Sequence, residues 1–220
     1  MTSNDSQESS AIPAMESASE TVRRIFGNDG SSLGAEIADE ASRYERLNAA
    51  LFPLPSRTRC MAVANQKGGV GKTTTTVNIA AALASHGAHV LVIDMDPQGN
   101  ASTACGVPHG TSDPSVYDVL EGRMTIGEVL KTCPDIPGLD VVPASIELSG
   151  AELEVADLPN RNNLLKEAVE SFLQDPNNHY DYVLVDCPPS LGLLVINSMC
   201  AVSELSLIHI SEPTRPLYIS

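Results

Sequence analysis

Four short apolar runs punctuate the chain: Cys60–Ala64, His89–Asp94, Leu139–Pro143 and Tyr180–Asp186. Each has the length of a strand rather than a helix. Each is rich in aliphatic residues, as strands covered on both faces of a parallel sheet are. Between them the apolar spacing changes to three and four. Thr75–Ala84 is a helix-forming run that reaches about Ser85, with Gly87 placed to cap its C-terminus. Val116–Leu120 and Ile126–Leu130 are short helical pieces within a loop-rich stretch, 103–138. From Asn162 to Leu173, the residues Leu164, Leu165, Ala168, Val169 and Phe172 fall on one side of a helix that Pro176 ends. Leu191–Val202 is the next helix. Strands alternating with helices predict an α/β domain with a mainly parallel sheet. The first strand, its helix and the second strand predict a right-handed βαβ unit.

The ends of the chain read differently. Residues 1–20 are rich in Ser, Glu, Asp and Ala, too little apolar surface to offset the entropy of ordering, which predicts disorder. Over Glu36–Leu51 the residues Ile37, Ala41, Tyr44, Leu47 and Leu51 recur at helical spacing, until Pro53 and Pro55 stop the pattern. That segment is either an accessory helix that docks on the domain or a partner, or a weakly ordered helix in solvent. At the other end, Leu205–Ile210 offers one candidate edge strand, while Pro213 and Pro216 bar a core helix after it. Residues 211–220 are expected to be loosely held.

Composition narrows the classes. Among 220 residues, 42% are apolar, enough for a real core. The net charge is −15, from 28 acids against 13 bases, the wrong sign for a constitutive nucleic-acid binder. Cys60, Cys105, Cys133, Cys187 and Cys200 are scattered with no paired spacing, as free thiols in a reducing cytoplasm are. The five histidines show no ligand spacing. The N-terminus lacks the basic and apolar regions of a signal peptide. Leu191–Val202, the longest apolar stretch, is interrupted by Asn197 and Ser198 and is too short to span a bilayer. The expectation is a soluble cytoplasmic protein without membrane attachment.

The chemistry lies at three strand ends. Asn65–Thr74, sequence NQKGGVGKTT, joins the first strand to its helix. Glycines let backbone N–H groups turn onto an anion, and the helix N-terminus adds positive potential. In this P-loop, Lys72 reaches toward the β and γ phosphates of a nucleotide and the Thr73 hydroxyl toward Mg²⁺. The general P-loop pattern has its first glycine where Gln66 stands; here Gly68, Gly69 and a second lysine, Lys67, follow instead. Asp94 and Asp96 sit just off the second strand, where open parallel sheets bind ligands. They are placed to hold a metal-bound water or aim an attacking one, or to cap a turn beginning at Pro97. Tyr180–Asp186 is an apolar strand ending in an acid, a Walker B element whose Asp186 holds Mg²⁺ through water beside the P-loop threonine.

Lys67–Thr74 resembles the deviant P-loop of the ParA/MinD/nitrogenase-iron-protein ATPases. Val92–Ala101, reading VIDMDPQGNA, resembles the ParA/Soj partitioning branch. Cys187–Ser190 matches the family's continuation after its Walker B strand, and Ala144–Leu153 resembles its stretch at the dimer face. The resemblance runs from about Cys60 to about Glu204.

The resemblance implies a three-layer α/β/α P-loop NTPase domain over 59–204, incomplete at its C-terminus. It leaves 1–58 as an N-terminal extension and 205–220 as a non-family tail, non-native in origin. It implies a nucleotide cradle of Lys67, Gly68, Gly69, Val70, Gly71, Lys72, Thr73 and Thr74, with Thr73, Asp94 and Asp186 around Mg²⁺. Asp96 takes the water-positioning role, and Lys67 reaches across to a second subunit's phosphates. The implied activity is ATP hydrolysis in a sandwich homodimer that binds DNA without sequence preference and answers to a ParB-like partner. The acidic balance argues against DNA binding by this chain alone. Other readings are a ParA-branch ATPase that positions another cargo and an inactive fragment. A MinD-type membrane-targeted relative is disfavoured by Asp96–Asn100 and by the lack of a C-terminal amphipathic helix.

Overall fold

Neighbouring residues on each strand divide between two cores. Leu91 and Ile93 enter one, Val90 and Val92 the other; Val183 and Val185 enter one, Tyr182 and Leu184 the other. A strand points successive side chains to opposite faces, so a sheet apolar in both registers must be covered on both sides. The computed structural model describes residues 20–21, 24–25, 32–49, 53–155 and 157–207. Its residues fall into two units, Met1–Phe52 and Pro53–Ser220.

In the first unit, α1 spans Ser32–Ala49 and carries Ile37, Ala41, Tyr44 and Leu47 of the expected helix. Leu51 and the disorder expected over most of 1–20 lie outside the described residues.

In the second unit, the order is β1 (Arg59–Ala64), α2 (Lys72–Ser85), β2 (Val90–Asp94), α3 (Asn100–Ala104), α4 (Val116–Leu120) and α5 (Ile126–Val129). Then come β3 (Lys131–Thr132), β4 (Leu139–Val142), α6 (Leu148–Glu154), α7 (Leu164–Gln174), β5 (Tyr182–Asp186), α8 (Leu193–Cys200) and β6 (Glu204–Leu207). The sheet order is β3-β4-β2-β5-β1-β6. Every pairing is parallel except that of β3 with β4. Side chains of α2 and α3 (Ala80, Ala84, Ala101) pack in one core; those of α4, α5, α7 and α8 (Leu120, Ile126, Leu165, Leu194) pack in the other. This is the α/β class expected from the alternation, in the three-layer α/β/α arrangement that the resemblance implied.

Three features add to the sequence pattern. The two-residue strand β3 lies in a stretch expected to be loop and short helix. The edge strand expected after Glu204 is present as β6, pairing with β1 from Met61↔Glu204 to Ala64↔Leu207; the rest of that segment, 208–220, lies outside the described residues. Asn197 and Ser198, the polar breaks in the last apolar run, are fully buried. Asn197 accepts from the Leu165 N–H at 3.2 Å and donates to Arg161 O at 2.7 Å, and Ser198 donates to Leu194 O at 2.8 Å. Buried polar groups are tolerated when so paired; Asn197 ties α8 to the start of α7, while Ser198 bonds within α8. Among the described residues no helix is long and apolar enough to cross a membrane.

Candidate nucleotide-binding site

The sheet order places β5 between β1 and β2, so the C-terminal ends of β1, β5 and β2 stand side by side. The P-loop leaves the first, Asp186 ends the second and Asp94 ends the third. Asp94 and Asp186 are register partners.

The loop takes its shape from its glycines. Gly69 and Gly71 have φ of 72° and 87°, left-handed values that a side chain resists. The Asn65 carboxamide accepts from the Lys67 N–H at 2.8 Å and folds the loop over its own start. No side chain caps α2 at Gly71. Gly71, Lys72, Thr73 and Thr74, the N-terminus of that helix, line the cavity beside the loop, and a helix N-terminus favours an anion. Gly68, Gly71, Lys72, Thr73, Asp96 and Pro189 are among the residues lining this cavity of about 640 Å³. Lys72 is buried, at 6% exposure, whereas Lys67 is exposed on the outer loop.

Beneath the loop, Asp186 is fully buried and receives two hydroxyls. Thr73 Oγ1 donates to its Oδ2 at 2.7 Å and Thr76 Oγ1 to its Oδ1 at 3.1 Å. Burial pushes the Asp186 carboxyl up to about 6; the Thr73 and Thr76 hydrogen bonds oppose the shift, and the nearby Asp94 carboxylate adds to it.

Asp94 is held by its own loop. Its Oδ2 accepts from the Ser102 N–H at 2.9 Å and the Ser102 hydroxyl at 2.7 Å, and its Oδ1 from the Asp96 N–H at 3.1 Å. Burial raises its pKa too, against the pull of Ser102. Asp96 Oδ1 accepts from the Gln98 N–H at 3.0 Å. Asp96 thus caps the turn at Pro97 and also lines the cavity, while Asp94 binds the segment that follows it.

Lys72, Thr73, Asp96 and the loop glycines come together at one cavity, with Asp186 bonded to Thr73. Asp94 is separated from the P-loop strand by β5, its oxygens bonded to Ser102 and Asp96. Two participants carried little signal in the sequence. Thr76 stands one helical turn after Lys72, which only the helix geometry makes meaningful. Ser102 is eight residues beyond Asp94, and nothing in the spacing marks it.

A glycine loop between a buried strand and a helix, with its threonine bonded to an acid at the end of the adjacent parallel strand, defines a P-loop α/β nucleotide-binding fold. The chain belongs to the AAA-domain family AAA_31, which it matches over residues 58–215. That match reaches beyond Glu204 into the segment expected to be a non-family tail. Among curated relatives, the chromosome partitioning protein ParA of Caulobacter vibrioides is 48% identical over 148 residues, 67% of this chain and 54% of that protein. The sporulation initiation inhibitor protein Soj of Bacillus subtilis is 46% identical over 143 residues, 65% of this chain and 54% of that protein. The chain spans about half the length of these curated relatives. Among solved structures, a cobyrinic acid a,c-diamide synthase from Mycobacterium smegmatis with bound ATP analogue and magnesium superposes with a TM-score of 0.64. The two are 39% identical, over 70% of this chain and 60% of that one.

Proposed function

We propose that this chain carries the nucleotide-binding part of a ParA/Soj-like partitioning ATPase, binding ATP with Mg²⁺ and hydrolysing it. The observation that carries this reading is the Thr73–Asp186 bond beneath a glycine loop whose cavity is also lined by Lys72 and Asp96. The oxygen donors fit the metal. Thr73 and Asp186 are hard ligands, and Asp94, Asp96 and Asp186 concentrate buried negative charge that a divalent cation would neutralise. Among the described residues no group of three or more His, Cys, Asp or Glu could cage a metal alone, which suits an ion held by one or two protein groups, water and phosphate. When bound, Mg²⁺ supplies charge neutralisation on the phosphates.

In this reading the backbone N–H groups of Gly68–Thr74 hold the phosphates and Lys72 stabilises charge on the β and γ oxygens. Thr73 and Asp186 take the metal side, Asp94 contributing at one remove through water and its own charge. Asp96 orients the attacking water. Lys67, on the outer loop, acts on the nucleotide of a second copy across an ATP-closed dimer. The relative named chromosome partitioning protein ParA supports a role in partitioning; plasmid as well as chromosome partitioning in the cytoplasm, with a ParB-like partner and nucleoid DNA, is what the motif resemblance implies. The −15 charge argues that this chain alone contributes little to DNA affinity.

The test is titration of the purified protein with fluorescent ATP in the presence and absence of Mg²⁺, together with phosphate release and retardation of random DNA. Mg²⁺-dependent binding and slow hydrolysis, accelerated by a ParB-like protein, are expected. No ATP binding would overturn the reading. Acceleration by a cargo other than a DNA-bound partner would move it to another member of the ParA branch.

A further inference from the structure

Gly99 sits at the turn that follows Asp96, with φ of 62°, and its N–H donates to Asp96 O at 2.9 Å. A Cβ built on Gly99 would stand 2.7 Å from His109 Nδ1 and 2.8 Å from His109 Cε1. The imidazole therefore fills the space a side chain would take. Its other nitrogen, Nε2, lies 2.9 Å from Thr103 Oγ1, and Thr103 Oγ1 donates to Gly99 O at 3.0 Å. Thr103 Oγ1 thus stands between His109 Nε2 and Gly99 O, and joins the ring to the glycine that the ring covers.

The segment presenting His109 is held at both ends, to Ser102 on one side and to Lys131 on the other. The Val107 N–H donates to Ser102 O at 3.1 Å, Val107 is buried, and Lys131 Nζ donates to Pro108 O at 2.7 Å. His109 is therefore a post set by its own loop, and its contacts act on the loop that carries Asp96.

We infer that His109 is a positioning residue for Asp96: by covering Gly99 and bonding Thr103 it fixes the Asp96–Gly99 turn against the start of α3 in the geometry that aims the attacking water. This rests on the water-aiming role proposed for Asp96. A displacement of about 1 Å at a reacting group can cost on the order of a hundredfold in rate, so a loosened loop should be visible in turnover.

The experiment compares His109→Ala, Thr103→Val and His109→Gln with wild type in the full chain. ATP affinity should stay within about twofold for all, since the phosphate cradle is elsewhere. His109→Ala and Thr103→Val should each lower kcat about tenfold. His109→Gln, whose carboxamide offers both a donor and an acceptor to replace Nε2 toward Thr103, should recover most of the rate. In parallel, amide hydrogen exchange of 97–103 in the nucleotide-free protein should quicken in His109→Ala, with β2 and β5 unchanged. A wild type that hydrolyses no ATP would sink the proposed function, and the exchange measurement would still decide the brace. Unchanged exchange at 97–103, wild-type kcat in His109→Ala, or equal losses of affinity and rate in all three variants would overturn it.

Discussion

Thr73 and Asp186 lie 113 residues apart in the chain, and the threonine hydroxyl donates to the carboxylate at 2.7 Å. The bond joins the first turn of α2 to the end of β5. It fixes the distance between the phosphate loop and the acid beneath it.

Thr76 completes the same grip from one turn further along α2. Its hydroxyl is fully buried and shares its one proton between Asp186 Oδ1 at 3.1 Å and Lys72 O at 3.0 Å. Thr76→Val keeps the shape and removes the donor. It should destabilise the fold by roughly 1–2 kcal/mol, the cost of leaving a buried acceptor short of a partner, and raise the Asp186 pKa further. Denaturant unfolding of the variant measures the first effect; wild-type stability would mean that Asp186 is satisfied without Thr76.

The two P-loop lysines should separate by function. Lys72→Ala removes a buried cation from the cavity and should abolish ATP binding. Lys67→Ala, on the exposed outer loop, should leave affinity near wild type and prevent ATP-dependent dimerisation. Fluorescent-nucleotide titration and sedimentation check both. Equal loss of affinity would place Lys67 on its own subunit's nucleotide.

Asp96→Ala should bind Mg-ATP and fail to turn it over, with kcat lower by on the order of a hundredfold or more, the usual contribution of a positioned base. Single-turnover phosphate release reads this directly. Hydrolysis at the wild-type rate would transfer the role to Asp94 or another group.

Stability should fall as pH rises through mildly acid values. The folded-state pKa of Asp186, raised to about 6, lies above the usual unfolded value of about 3.9. The folded protein therefore binds this proton more tightly. Its contribution is fully present below about pH 3.9 and lost as pH rises toward 6. The difference of about two pH units corresponds to on the order of 3 kcal/mol, and Asp94, shifted the same way by burial, adds with the same sign. Unfolding free energies measured between pH 4 and 7 should show this slope, shallower in Asp186→Asn. An unchanged slope in that variant would assign the titration elsewhere.

The local chemistry was legible along the chain. Gly69 and Gly71 mark a loop needing left-handed backbone, and an apolar run ending in Asp186 marks a buried strand delivering an acid. Both follow from residue type and short-range spacing: a glycine tolerates what other residues do not, and a strand apolar at every position has no solvent face. Strand alternating with helix determined the α/β class for the same reason. What spacing did not carry was which strands touch. The sequence places β2 after β1, yet β5 lies between them, so Asp186 meets Thr73 while Asp94 stands one strand further off. Strand pairing depends on how the helices cover both faces at once, a property of the whole sheet. The same holds for Thr76, Ser102 and His109, whose residue types are common. Only the folded chain decides that Thr76 ends against Asp186, that Ser102 satisfies both a buried carboxylate and its loop, and that His109 fills the space beside a glycine without a side chain.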